Sequence, residues 1–196
     1  MTKIYSFVNQ KGGVGKTTST INIGAYLALH GKKVLLVDND PQANATSCLG
    51  IEKNQVKNGI YEVMIEGIDP SNSILYNPRV KISLLPSSPA LAGAEVELIS
   101  LNNREFRLDT VLDKVKDRYD YILIDCPPSL SLLTVNGLVS ARDGLIIPVQ
   151  CEYLALEGLG QLLQTINRIK SALYPGLLIR GVLLTMYDSR TNLSAN

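Results

Sequence analysis

Gln10-Lys11-Gly12-Gly13-Val14-Gly15-Lys16-Thr17-Thr18 is the stretch on which the fold turns. It follows the apolar run Ile4-Tyr5-Ser6-Phe7-Val8 and leads straight into a helical pattern over 17–29. A strand, a glycine-rich loop and a helix in that order form a cradle for phosphate. Gly12, Gly13 and Gly15, with Val14 between them, let backbone N–H groups converge on a triphosphate without obstruction by Cβ atoms. Lys16 reaches the β and γ oxygens, and the Thr17 hydroxyl can hold a magnesium ion. The helix that starts near Thr17 and Thr18 points its positive end at the same anion. The reading is therefore a nucleotide-binding chain with ATP and Mg2+ as cofactors.

Working outward, strand-like and helix-like segments alternate. Strands are expected at 3–8, 33–37, 81–85, 120–124, 144–149 and 178–185, and helices at 17–29, 42–49, 89–100, 105–117, 130–141 and 154–173. Val34-Leu35-Leu36-Val37 and Tyr121-Ile122-Leu123-Ile124 are almost wholly apolar. Such runs are buried on both faces, which is the habit of parallel strands covered by helices. The pattern predicts an α/β domain with a doubly wound, mostly parallel sheet and helices on both faces, in a single unit over 1–196. Right-handed crossovers place the loops after all the parallel strands on one edge. The stretch 51–80 is irregular and reads as loops with short helices.

Composition agrees. The 196 residues are 45% apolar and 19% charged, enough to bury a substantial core. The net charge of +1 leaves any nucleic-acid contact to a local patch. Cys48, Cys126 and Cys151 lack metal-ligand spacing and read as small buried residues in a reducing compartment. His30, just before Gly31, reads as a helix-end cation. No apolar run approaches the ~18–20 residues of a membrane span, so no membrane association and a cytoplasmic location are expected.

Two further motifs lie where strand ends are expected. In Val37-Asp38-Asn39-Asp40-Pro41-Gln42, Asp40 before a proline reads either as a helix cap or as the carboxylate that orients an attacking water. In Tyr121-Ile122-Leu123-Ile124-Asp125-Cys126-Pro127-Pro128, an aspartate closing an apolar strand is costly unless it is satisfied. A magnesium ion held through water beside Thr17 would satisfy it.

The loop departs from the general phosphate-binding pattern, with Gln10 where a glycine is usual and a second lysine, Lys11, beside the glycines. In this it resembles the deviant Walker A loop of the ParA/MinD family of ATPases, and most closely the Soj type of ParA. The resemblance implies that Lys11 acts catalytically across a dimer interface, on the partner's nucleotide. It implies that Asp40 positions the water, and that Asp38 supports the magnesium shell with Thr17 and Asp125. Segments 91–97, 147–153 and 156–158 resemble the parts of the family that pack near the dimer interface. Met186, after the last strand, would touch the base, the other reading being a core methionine. Arg190 would contact duplex phosphates without reading sequence, the other reading being a solvated loop arginine. The partners implied are a homodimer in the ATP state, a ParB-type centromere-binding protein that stimulates slow hydrolysis, and non-specific duplex DNA. Location would be cytoplasmic, and nucleoid-associated when ATP is bound. Chains of this family continue with a further strand and C-terminal helices, so the sequence is expected to lack them. The competing readings are a MinD-like membrane-cycling ATPase and a metabolic or metallochaperone ATPase on the same scaffold.

Overall fold

The computed structural model describes residues 1–152 and 155–188, with the backbone alone for 155–157. Seven strands form one sheet: β1 (Lys3–Phe7), β2 (Val34–Asp38), β3 (Leu75–Asn77), β4 (Ile82–Leu85), β5 (Tyr121–Asp125), β6 (Gly144–Gln150) and β7 (Ile179–Thr185). Their order is β3-β4-β2-β5-β1-β6-β7. Every pairing is parallel except that of β3 with β4. The helices are α1 (Lys16–Leu29), α2 (Asn44–Cys48), α3 (Leu91–Glu97), α4 (Arg107–Asp113), α5 (Leu132–Ser140) and α6 (Ala155–Ala172).

The alternation of side chains along a strand divides the core into two layers. Leu35, Val37, Ile122 and Ile124 are buried in the layer that also holds Leu91, Leu108, Leu133, Leu138 and Leu162. Val34, Leu36 and Leu123 are buried on the other side with Ala28 of α1 and Ala45 of α2. Helices therefore cover both faces, and the apolar strands are inside because each face has its own cover. Gly24 of α1 packs closely on the sheet: a Cβ there would lie 3.4 Å from both Ile82 Cδ1 and Leu123 Cδ1.

All six expected strands are present within a residue or two of their anticipated ends. Helix α1 starts one residue earlier than expected, and the other five helices are shorter: 89–100 resolves into α3 plus a tight 3₁₀ turn at Leu98–Ser100, and 105–117 into α4 between two such turns. The additional strand is β3, an exposed antiparallel edge strand of three residues inside the irregular stretch 51–80. It is too short to show a period and ends just before Pro78, so nothing in its composition announces a strand. Cys48 departs from the expectation of burial. It is exposed at the end of α2, whereas Cys126 is buried and Cys151 intermediate.

Candidate functional site

The register of three central strands builds the site. Asp38 is paired with Asp125 across β2 and β5, and Asp125 with Phe7 across β5 and β1. The loop after Phe7 is the glycine-rich segment, so phosphate loop and carboxylates emerge side by side on one edge. Gly13 (φ 74°) and Gly15 (φ 84°) take left-handed conformations, which turn the chain into α1 and which a side chain would strain. Among the described residues, no side chain caps the N-terminus of α1, and its first turn has no acidic residue. Helix amides left open beneath a glycine-rich loop are what an anion requires.

Lys16 is 7% exposed, and its Nζ donates to the Lys11 carbonyl at 3.0 Å. Burial lowers its pKa from the ordinary lysine value, while Asp125, Cys126 and Asp40 pull in the opposite direction. The Thr17 hydroxyl donates to Asp125 Oδ2 at 2.6 Å, and the Thr20 hydroxyl lies 3.5 Å from Asp125 Oδ1. Asp125 is fully buried, and burial together with the neighbouring Asp38 pushes its pKa up to about 7. Burial likewise pushes Asp38 up to about 6, against hydrogen bonds from Thr46 that favour its charged form. Asp40 is also buried, and its Oδ1 accepts the Gln42 amide at 2.9 Å.

Two buried carboxylates, Asp125 and Asp40, therefore act on one buried ammonium, and the third, Asp38, stands beside Asp125. The shortfall of positive charge, with a hydroxyl beside a carboxylate at the foot of the phosphate loop, fits a divalent cation held mainly through water and phosphate oxygens. No group of three or more His, Cys, Asp or Glu residues that could hold a metal occurs among the described residues. A magnesium ion bound by phosphate, water and Thr17 needs no such group.

A cleft of about 360 Å³ opens over these residues, lined by Gly12, Gly13, Gly15, Lys16, Thr17, Thr18, Asp40 and Met186, with Asn44, Cys48 and Pro128. Met186 is 56% exposed at a positive φ of 53°, so it stands at the cleft and outside the core. The adjoining Thr185 hydroxyl donates to the Val14 carbonyl at 2.8 Å, tying the end of β7 to the phosphate loop. Lys11 lies at the rim, where its Nζ forms an exposed ion pair with Glu152 at 3.2 Å. An exposed pair of this kind is weak and easily exchanged for another anion. Val14 is buried beneath the loop.

Arg190 and Tyr153 lie outside the described residues, as does the side chain of Glu157. The sequence reading missed Asn44 and Cys48. They are four apart on α2, so one helix face brings both to the cleft, and their spacing after Asp40 was the available signal. It also missed Thr46 and Ser87, which hold the Asp38–Asp40 segment in place.

Comparison with known proteins gives this arrangement its relatives. A family model described as an AAA domain matches residues 2–179. The sporulation initiation inhibitor protein Soj of Bacillus subtilis is 54% identical over 98% of this chain and 76% of its own length. The chain belongs to the ParA/Soj family. The chromosome-partitioning ATPase Soj of Treponema pallidum is 53% identical, over 99% of this chain and 75% of that protein. A solved structure of cobyrinic acid a,c-diamide synthase from Mycobacterium smegmatis, with a bound ATP analogue and magnesium, superposes with a TM-score of 0.95. It is 42% identical and covers 100% of this chain and 79% of its own. Within the ParA/Soj family, the deviant phosphate loop and the paired strand-end aspartates of this chain thus fall on a scaffold shared with partitioning proteins. No helix among the described residues is long and apolar enough to cross a membrane.

Proposed function

We propose that this protein is a partitioning ATPase that binds ATP with magnesium, dimerises on it, and uses the dimer to hold duplex DNA. The observation that carries the reading is the uncapped N-terminus of α1 under a glycine-rich loop, facing Lys16 and the buried carboxylates of Asp38, Asp40 and Asp125. Its support comes from relatives 53% and 54% identical that carry the Soj name.

The amides of Gly12 to Thr18 hold the phosphate chain, and Lys16 neutralises the β and γ oxygens. Thr17 and Asp125, with Asp38 beside Asp125, would hold magnesium. Bound there, magnesium would withdraw charge from the transferring phosphoryl group. Asp40, on the same edge, orients a water in line with the γ-phosphorus, and Met186 rests against the base. Lys11 exchanges Glu152 for the nucleotide of a second copy of the chain, which completes the charge compensation. Hydrolysis is slow until a ParB-type partner and the dimer bring these groups into register. Arg190 makes a sequence-independent phosphate contact. The protein works in the cytoplasm, on the nucleoid while ATP is bound.

The decisive test is duplex-DNA binding at low and moderate salt with ATP, ADP or no nucleotide, for the wild type and Arg190→Glu. Binding that requires ATP, ignores sequence, weakens with salt and is lost with Arg190→Glu establishes the reading. Absence of ATP-dependent DNA binding removes it, and ATP-dependent binding to lipid vesicles would then favour the MinD-like alternative. The diamide synthase likeness motivates a metabolic reading. ATP turnover that depends on a second small substrate would favour that reading.

A further inference from the structure

Asp38 and Asp40 stand on a three-residue segment that must hold two buried carboxylates close to each other and to Asp125 while leaving the cleft open. The segment is secured from two sides. On the β5 side, the Asn39 amide donates to the Asp125 carbonyl at 2.9 Å, and Asn39 Nδ2 donates to the Leu133 carbonyl at 2.8 Å. On the β4 side, the bonds run through two side-chain hydroxyls. Thr46 donates to Asp38 Oδ2 twice, from its backbone N–H and its hydroxyl, each at 2.7 Å. The same Thr46 oxygen accepts the Ser87 amide at 2.9 Å, and the Ser87 hydroxyl donates to the Asp40 carbonyl at 2.8 Å. Thr46 and Ser87 are both fully buried.

The directions of these bonds leave little freedom. The Thr46 proton is committed to Asp38, so its lone pair can serve only a donor, and the backbone of Ser87 supplies one. Ser87 in turn points its proton back at the main chain of Asp40. The result is a closed relay from β2 through α2 to the loop after β4 and back to the residue beside Pro41. Neither hydroxyl is among the groups that line the cleft. Neither is required by the packing of apolar side chains, since a valine has the shape of threonine. What they supply is direction, in a region where burial makes each misplaced polar group costly.

We infer that Thr46 and Ser87 are positioning residues for hydrolysis: their paired hydroxyls fix the Asp38–Asp40 segment so that Asp40 meets the attacking water, and they join that segment to the loop leading into α3. The inference rests on the ATPase reading for Asp40, and it extends that reading to residues that contact neither nucleotide nor metal. A displacement on the order of 1 Å in a water-orienting carboxylate can cost about 10²-fold in rate while leaving ground-state binding intact. The effect of losing the relay therefore falls on turnover.

The experiment compares wild type, Thr46→Val, Thr46→Ser, Ser87→Ala and the Thr46→Val/Ser87→Ala double variant. Steady-state turnover, equilibrium affinity for a fluorescent ATP analogue and backbone hydrogen exchange of the nucleotide-free protein are measured for each. Thr46→Val keeps the shape and the backbone N–H to Asp38 and deletes the hydroxyl. It is expected to lower kcat at least about tenfold with nucleotide affinity unchanged within about twofold. Thr46→Ser restores kcat, Ser87→Ala lowers it less, and the double variant is no worse than Thr46→Val, because both substitutions break one relay. In the nucleotide-free protein, the Ser87 amide and segment 38–46 exchange faster in Thr46→Val. The inference is overturned if Thr46→Val turns over within twofold of wild type. It is equally overturned if affinity falls in parallel with kcat, or if Thr46→Ser fails to restore turnover. A wild type without ATP turnover sinks the ATPase reading instead, and the exchange at Ser87 then decides the relay alone.

Discussion

Helix α1 and two short turns of the 51–80 segment, Lys53–Gln55 and Pro70–Asn72, begin in opposite ways. The turn at Lys53–Gln55 is capped by Glu52, whose carboxylate accepts the Asn54 amide, and that at Pro70–Asn72 by Asp69, which accepts the Ser71 amide at 2.7 Å. Each of these segments closes its own hydrogen bonds within two residues. The fourteen residues of α1 start on Gly15 with no side-chain cap and no acid in the first turn. A cap on α1 would stabilise the helix by about 1 kcal/mol, so its omission is a cost to folding. Side-chain caps are absent from α2, α3 and α5 as well, so what sets α1 apart is the glycine-rich loop and Lys16 at the cleft beside its open amides. One region satisfies its own amides, and the other leaves them for a ligand.

Substitutions can break or sharpen this contrast, and the largest effect is expected where the ligand reacts. Asp40→Ala should lower ATP turnover by about 10²–10⁴-fold while nucleotide binding survives, measured by phosphate release beside direct affinity. Equal turnover in the variant would return Asp40 to the capping role of its bond with the Gln42 amide. Lys16→Ala should weaken ATP affinity by about 10–100-fold, the worth of a charged hydrogen bond to phosphate. Calorimetric titration reads this, and retained affinity would remove the anion from the open end of α1.

Next comes the buried carboxylate of Asp125. Asp125 has its pKa raised to about 7 in the folded protein, against 3.8 for an ordinary aspartate. Its protonated form is therefore the stabilising one. That stability is complete below about pH 4 and is lost as pH rises through about 7. Asp125→Asn, which can still accept from Thr17, should melt above wild type at pH 8 without nucleotide or metal, with a smaller gap at pH 5. Thermal scans at the two pH values check it, and an unchanged gap would deny the burial cost. The smallest effect belongs to the self-capped region. Asp69→Ala should lower the melting temperature slightly through the lost Ser71 bond and leave ATP affinity and turnover untouched. An affinity change there would show that the 51–80 segment communicates with the cleft.

Much of the site could be read from the sequence because its chemistry is local. The glycines, Lys16 and Thr17 fall within six consecutive residues, and an aspartate that ends an apolar run announces itself without any neighbour. The six longer strands were legible for the same reason, since burial on both faces writes itself as unbroken apolarity. β3 was not, because a three-residue edge strand takes its identity from pairing with β4. Met186 could be a core residue or a cleft residue by sequence, and its exposure at the cleft removed the first of these. Cys48 looked like a core residue and is exposed, because α2 is only five residues long and ends there.

The sequence by itself determined the family, the α/β class and the phosphate loop, because each is encoded in short-range order: spacing, periodicity and backbone permissiveness. Only the tertiary structure decided that Asp38 and Asp125 stand in register on neighbouring strands, that Thr17 donates to Asp125, and that Thr46 and Ser87 bridge Asp38 to Asp40. Those contacts join residues as far as 108 positions apart. The register of parallel strands sets them, and no local pattern along the chain carries that register.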